Sequence, residues 1–148
     1  QTGRYTSMKT RGIVALAGTF GYELNLNELS EEDKQEIRSQ IAEYKRFASL
    51  SQSGLYYRLT NPQTDNLGAW EFAAEDQSEA VVQAVSIRQH ANMTVDYIRI
   101  KGLKENTMYK ETGSGKVYNS TALKETGFPM PAALGEYRAY QWHFVREE

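Results

Sequence analysis

The chain has 148 residues, enough for one domain with a buried core or for one domain and part of another. It contains no cysteine, which excludes a disulfide framework, a thiolate metal site and a cysteine nucleophile, and which favours a reducing compartment or a secretion route that needs no disulfides. The net charge of −2 and the lack of a basic stripe argue against nucleic-acid and polybasic membrane partners, and no apolar run reaches the roughly 18 residues of a membrane span.

The first residues are Gln1-Thr2-Gly3-Arg4, with no Met and no tag-like stretch. We expect the chain to be a piece of a longer protein, cut upstream; a trimmed tag or a processed start is the alternative. Residues 10–18 form a short apolar stretch with two glycines, and its periodicity does not distinguish a helix from a strand.

Residues 20–26 alternate apolar and other side chains: Phe20, Tyr22, Leu24 and Leu26 are separated by Gly21, Glu23 and Asn25. A period of two predicts a strand with one apolar face. In a sandwich strand Glu23 would face water, whereas in a barrel strand it would point inward, where a polar side chain needs a partner or a role.

Residues 30–53 carry the strongest helical pattern. Ser30 is a favourable N-cap, and the acids at positions 31–33 complement the positive end of the helix dipole. Apolar side chains then recur at spacings of four, three and four, which is one helical face. Gly54 follows at the position of a C-terminal capping glycine.

Beyond Gly54 the pattern becomes one of short β-prone segments at a spacing of about ten residues, which predicts an antiparallel sandwich or barrel. Turns are predicted at residues 61–62, 75–78 and 113–115. The segments run over residues 56–59, 69–74, 80–87, 97–100, 108–110, 117–118 and 137–144. No helical period is found in this part of the chain.

Residues with chemical potential form no recognisable catalytic set. The 19 acidic residues offer no spacing that singles out the carboxylate pair of a glycosidase. His90 and His143 have no second ligand at metal-binding spacing, so we interpret them as surface or packed side chains. Trp70 and Trp142 are the residues that could stack on a sugar ring, although aromatic residues on strands belong more often to the core.

An ordered series of segments resembles the end of glycoside hydrolase family 36, the bacterial and fungal α-galactosidases of the raffinose and melibiose type. The resemblance covers nearly the whole chain, and its most specific piece is Phe20-Gly21-Tyr22-Glu23-Leu24. The other segments are Thr10-Arg11-Gly12, Leu55-Tyr56-Tyr57-Arg58-Leu59, Arg99-Ile100-Lys101-Gly102-Leu103, Gly127-Phe128-Pro129-Met130-Pro131 and Gln141-Trp142-His143-Phe144.

The resemblance implies a mainly β chain: an antiparallel β-sandwich C-terminal domain over residues 55–148, preceded by the last helix–strand–helix piece of a (β/α)8 barrel over residues 1–54. Residues 10–18 would be helix 7, residues 19–26 strand 8 and residues 30–53 helix 8. Glu23 and Asn25 would then point into the barrel, with Asn25 nearer the substrate because barrel chemistry lies at the C-terminal ends of the strands.

The resemblance further implies that the intact protein hydrolyses terminal α-galactosides with retention, uses no metal or organic cofactor, is cytoplasmic and forms a homo-oligomer, a tetramer in the family. The family's Lys-Trp-Asp nucleophile motif is absent from this sequence, so no catalytic residue is assigned and the chain itself is expected to be structural and inactive. Two alternatives stay open: a stand-alone carbohydrate-binding or interaction module acting through Trp70 or Trp142, and a β-sandwich partner domain without sugar chemistry.

Overall fold

The computed structural model describes residues 6–89, 94–132 and 135–148. His90 lies outside this part of the chain. Two helices come first, α1 (Met8–Ala15) and α2 (Glu31–Ser53), with a short 3-10 helix (Leu26–Glu28) between them. Eight strands and one more helix follow, in the order β1 (Leu55–Arg58), β2 (Leu67–Ala73), β3 (Glu79–Ser86), β4 (Tyr97–Ile98), β5 (Met108–Glu111), β6 (Val117–Asn119), α3 (Ser120–Glu125), β7 (Phe128–Pro129) and β8 (Ala139–Arg146).

Six of the strands form one sheet in the order β1-β2-β3-β8-β5-β6, and every pairing is antiparallel. Strand β4 pairs with β7 in a separate two-stranded sheet. The predicted antiparallel architecture is therefore confirmed, and so are the turns at residues 75–78 and 113–115, which join β2 to β3 and β5 to β6. The short helix α3 was not predicted.

The six-stranded sheet is buried on both faces. On one face, which we call the helix-covered face, Phe72 and Val81 pack against Phe47 and Leu50 of α2. The opposite face holds the larger core, closed by the small sheet, α3 and the loop that precedes β5. Its fully buried members include Val82, Ala84, Ile98, Ile100, Tyr109, Leu123 and Phe144. Burial on both faces explains why β2 and β3 read as nearly continuous apolar runs.

Helix α2 begins and ends where the sequence predicts. The Ser30 hydroxyl oxygen accepts from the Asp33 backbone N–H at 3.1 Å, and the last helical residue is Ser53. Gly54 is needed for a different reason from the predicted one. Its φ of −76° is ordinary, but a Cβ there would collide with the Leu50 carbonyl oxygen and lie 2.8 Å from that of Ala73.

The predicted strand over residues 20–26 is wrong in this structure: residues 20–25 are irregular and lead into the 3-10 helix. A strand is stabilised by a neighbouring backbone, and among the described residues none lies beside this segment. Its aromatic side chains turn to α2 instead. Phe20 stacks on Tyr44 with ring centroids 5.2 Å apart, and the Tyr22 hydroxyl donates to Gln40 at 2.5 Å.

The segment over residues 10–18, which only the family resemblance assigned to a helix, is helical over residues 10–15, the main part of α1. This helix contacts both α2 and the sheet. The Gln40 side-chain amide donates to the Met8 carbonyl oxygen at 3.0 Å, and the Thr10 hydroxyl accepts from the Ala139 N–H of β8 at 3.2 Å. Both helices thus share the helix-covered face.

Gly102, in the loop between β4 and β5, lies close to the six-stranded sheet. A Cβ at this position would lie 2.5 Å from the Ala73 Cβ and 2.9 Å from a ring carbon of Tyr57. Only a residue without a side chain lets the loop backbone reach the sheet here.

We expect Gly102→Ala to lower the free energy of unfolding by about 1–3 kcal/mol, because the added methyl group overpacks a rigid part of the core. The measurement is urea unfolding followed by circular dichroism. Gly18→Ala is the matched control, since a Cβ at Gly18 meets nothing within 4 Å. Equal stability of the two variants would contradict the prediction.

Candidate functional site

Glu23 and Asn25, the residues that the resemblance places near substrate, are both exposed and belong to the irregular segment before α2. The Asn25 side chain accepts from the Asn27 N–H at 3.2 Å and donates to the Glu28 carboxylate at 2.7 Å, which starts the 3-10 helix. Glu23 lies at a shallow depression beside α1, together with Arg11 and Phe20. The two residues are neighbours along the chain, but within the described residues they do not converge with other candidates on one site.

The two tryptophans have different environments. Trp142 packs against the larger core, with its ring 5.1 Å from Phe128 and stacked 5.8 Å from Tyr140. Trp70 lies on the helix-covered face and lines an open groove of about 910 Å³ together with Val14, Tyr56, Arg58, Pro62 and Ile87. We call this the Trp70 groove. Of the two tryptophans, Trp70 is therefore the one with an open groove beside it.

The Trp70 ring is fixed by a chain of hydrogen bonds that crosses the sheet. Its indole N–H donates to the side-chain oxygen Oε1 of Gln83 at 2.6 Å, and Nε2 of the same side chain donates to Oε1 of Gln141 at 2.6 Å. Gln141 in turn donates to the Glu43 carboxylate of α2 at 2.8 Å. We call this the glutamine ladder. It satisfies polar groups between the sheet and the helix, where unpaired ones would be costly.

His143 is 8% exposed and lies under the same helix. Its Nε2 is 2.6 Å from a Glu79 carboxylate oxygen, and its Nδ1 is 3.1 Å from an Arg46 guanidinium nitrogen. Because a guanidinium only donates, Nδ1 accepts and Nε2 carries the proton that is donated to Glu79. The prediction of a packed histidine is confirmed. The sequence could not reveal its partner Arg46, which lies 97 residues away.

In the part of the chain that the structure describes, two carboxylates are buried, and each accepts from backbone N–H groups. Glu111 accepts from Gly113 and Ser114 at 2.8 and 2.7 Å in the β5–β6 turn. Burial alone would raise the pKa of Glu111, but the hydrogen bonds from Ser114 and Gly113 outweigh it and hold the pKa below its ordinary value. This carboxylate shapes a turn.

Glu71 is fully buried in β2 and accepts from the Lys101 and Gly102 N–H groups at 2.9 and 3.0 Å. Burial raises the pKa of Glu71 above its ordinary value of 4.5, although the two backbone donors oppose the shift. Both buried carboxylates are thus occupied in holding backbone segments. Among the residues that the structure describes, no group of three or more His, Asp or Glu could hold a metal ion.

The chain matches known families over most of its length. Residues 67–144 match the Glycosyl hydrolase family 36 C-terminal domain, and residues 1–54 match Melibiase. The bifunctional α-galactosidase/sucrose kinase AgaSK of Mediterraneibacter gnavus is 47% identical over 98% of this chain, and α-galactosidase AgaA of Geobacillus stearothermophilus is 40% identical over 96% of it.

Solved structures agree with the sequence comparison. The galactosidase domain of AgaSK superposes on 99% of this chain with a TM-score of 0.96 and 46% identity. A doubly substituted variant of AgaA, solved in complex with raffinose, superposes on 99% of it with a TM-score of 0.94 and 39% identity. The fold is thus that of the C-terminal region of α-galactosidases. The chain belongs to glycosyl hydrolase family 36, and it spans 16% and 19% of the length of the two relatives named first.

None of the helices in the described ranges is long and apolar enough to cross a membrane.

The raised pKa of Glu71 makes the stability of the chain depend on pH. Since the folded state favours the neutral carboxyl, the stabilisation from protonation is complete below the unfolded-state pKa and is lost as the pH rises through the raised folded-state pKa. We expect the free energy of unfolding of the wild type, relative to Glu71→Gln, to fall as the pH rises from below 4.5 through the raised folded-state pKa of Glu71, because the amide does not titrate.

The measurement is urea unfolding of both proteins across this pH range. Glu75→Gln, an exposed carboxyl on the next turn, is the control and should parallel the wild type. A constant difference between the wild type and Glu71→Gln would contradict the prediction.

Proposed function

We propose that this chain is the structural C-terminal part of an enzyme that hydrolyses terminal α-galactosides of the raffinose and melibiose type with retention. Residues 1–54 would complete the (β/α)8 barrel, and residues 55–148 would form the domain that packs on it. The observation that carries the proposal is the superposition of 99% of the chain on the galactosidase domain of AgaSK at 46% identity. The match to Melibiase ends at residue 54 and the match to the C-terminal domain begins at residue 67, which supports a boundary between these two parts of the chain.

We propose that the catalytic groups of this reaction lie outside this chain, in which the Lys-Trp-Asp motif is absent. Retaining glycosidases use two carboxyl groups about 5–5.5 Å apart, one as a nucleophile that forms a glycosyl-enzyme intermediate and one as acid and then base. The buried carboxylates Glu71 and Glu111 are each bound to backbone donors. We therefore place both catalytic carboxylates in the remainder of the intact enzyme.

We also propose that the intact enzyme is cytoplasmic and homotetrameric. The lack of cysteine agrees with a reducing compartment. Sedimentation of the full-length protein tests the tetramer.

The experiment compares the 148-residue chain with the full-length protein on an aryl α-galactoside. We expect the full-length protein to release α-galactose as its first product, observed by NMR, because double displacement retains the configuration at the anomeric carbon. The chain alone should show no turnover above the uncatalysed rate. Hydrolysis by the chain in a preparation cleared of host enzyme, or a full-length protein that releases β-galactose, would refute the proposal.

Within the intact enzyme, we propose that Glu23 and Asn25 line the sugar pocket, with Asn25 nearer the substrate. The alternation of residues 20–26 supports this, since a strand placed between two barrel neighbours would direct Glu23 and Asn25 to one side and the apolar side chains to the other. In this chain the segment packs on α2 through Phe20 and Tyr22.

Asn25→Ala in the full-length enzyme should lower kcat/KM about tenfold, which corresponds to about 1.4 kcal/mol for the loss of one polar contact. Glu23→Ala should have a smaller effect. Gln35→Ala is the control, an exposed amide side chain on α2, and should retain wild-type kinetics. Equal values for Asn25→Ala and Gln35→Ala, at equal melting temperatures, would exclude Asn25 from the sugar site.

A further inference from the structure

The helical layer on the sheet stops short of one edge. Helix α1 packs over β8 and β3, while α2 packs over β2 and β3. The part of the same face near the start of β2 is not covered by either helix. The Trp70 groove lies there, between the edge strand β1 and Val14 at the end of α1.

The groove exposes side chains that folding normally hides. Tyr56 is 54% exposed and Val14 is 45% exposed, and both border the half-buried Trp70 ring. Arg58 also lines the groove, and its guanidinium has no hydrogen-bond or ion-pair partner among the described residues. Contiguous apolar surface with a charged rim marks a contact surface.

Six of the ten large apolar side chains that are exposed in the described residues lie in or just after the part that matches Melibiase. They are Val14, Leu24, Leu26, Ile41, Leu55 and Tyr56; the other four, Val95, Tyr97, Met108 and Val117, lie further along the chain. Val14 and Tyr56 border the Trp70 groove, which supports an apolar partner at this place.

The length of the relatives indicates what that partner is. The chain spans 16% and 19% of the two relatives named above, so most of such an enzyme lies outside it. Helices pack side by side at about 8–10 Å between axes, and one more helix beside α1 would continue the helical layer over the groove. Such a helix would cover Tyr56 and Trp70 and could bring a carboxylate to Arg58.

We propose that the Trp70 groove is the seat of a helix from the upstream part of the same polypeptide, an amphipathic helix with an apolar face for Trp70 and Tyr56 and an acidic side chain for Arg58. This inference rests on the proposed function, because it requires an upstream domain. A saccharide stacked on Trp70 and a second copy of the chain are the competing occupants.

The test is hydroxyl-radical footprinting, read by mass spectrometry, on the 148-residue chain and on the full-length enzyme. Tyr97 is the internal control, since it is the same residue type and is 53% exposed, against 54% for Tyr56. We expect oxidation of Tyr56 to fall several-fold in the full-length enzyme while oxidation of Tyr97 stays the same. The α-galactosidase assay is run on the same full-length preparation.

Each other result overturns the inference. An active full-length enzyme in which Tyr56 is oxidised as fast as in the short chain would refute the helix seat and leave the proposed function intact. Equal protection of Tyr56 and Tyr97 would show that protection is not specific to the groove. Protection of Tyr56 in the short chain by raffinose would assign the groove to a saccharide, and protection that grows with chain concentration would assign it to a second copy.

A pair of variants gives an independent reading. Tyr56→Ser should change the melting temperature of the short chain little, because the side chain is already exposed there, and should lower that of the full-length enzyme. Tyr97→Ser should give the same shift in both proteins. A Tyr56→Ser shift that is equal in the two proteins would count against the inference.

Discussion

The bidentate contact between the Glu71 carboxylate and the backbone of Lys101 and Gly102 holds the loop between β4 and β5 on the six-stranded sheet. The loop that leads from β4 to β5 crosses the sheet at this point and can approach closely only because Gly102 has no side chain. From there the loop continues to Lys104, whose N–H donates to the buried Tyr109 hydroxyl, and that hydroxyl donates to the Gln77 carbonyl oxygen of the β2–β3 turn. A buried carboxylate is costly, but its two donors belong to the backbone, so the contact fixes one loop conformation rather than one side-chain pair.

A small number of specific contacts also joins the helices to the sheet. Phe47 and Leu50 supply the apolar packing between α2 and the strands, whereas hydrogen bonds between polar side chains set the orientation of the helix. The glutamine ladder ends on Glu43, and the His143–Arg46 contact lies about one helical turn further along. Two polar contacts on one helix face define its rotation as well as its position, which apolar packing alone does poorly because it lacks direction. Since Gly54 alone separates α2 from β1, the helix and the six-stranded sheet have little freedom to move apart.

The sequence predicted correctly those elements that depend on interactions between residues close together in the chain. The capping residue and spacing of α2, the alternation and turns of the strands and the antiparallel pairing all follow from short-range patterns. The strand predicted over residues 20–26 is not formed, because alternation shows which side chains are apolar but not whether a neighbouring strand is present. Gly54 was located correctly for the wrong reason, since its φ is ordinary and a Cβ there would meet the carbonyl oxygens of Leu50, at the end of the helix, and of Ala73, 19 positions away. Helix α3 has only six residues, too few for a periodic signal.

The candidate site was likewise predictable only in part from the sequence. Glu23 and Asn25 were singled out by their place in an alternating segment, and no property of that segment alone determines which surface they face. The contacts of His143 and Trp70 depend on residues from three or four separate elements, so the sequence could identify the side chains but not their partners. The family resemblance supplied what periodicity could not, namely the expectation that residues 1–54 are part of a barrel that is completed elsewhere. Under our proposal, that remainder of the enzyme covers the exposed floor of the Trp70 groove. A contiguous apolar surface such as the one around Trp70 and Tyr56 is unusual on an independent domain, and under our proposal another part of the same enzyme covers it.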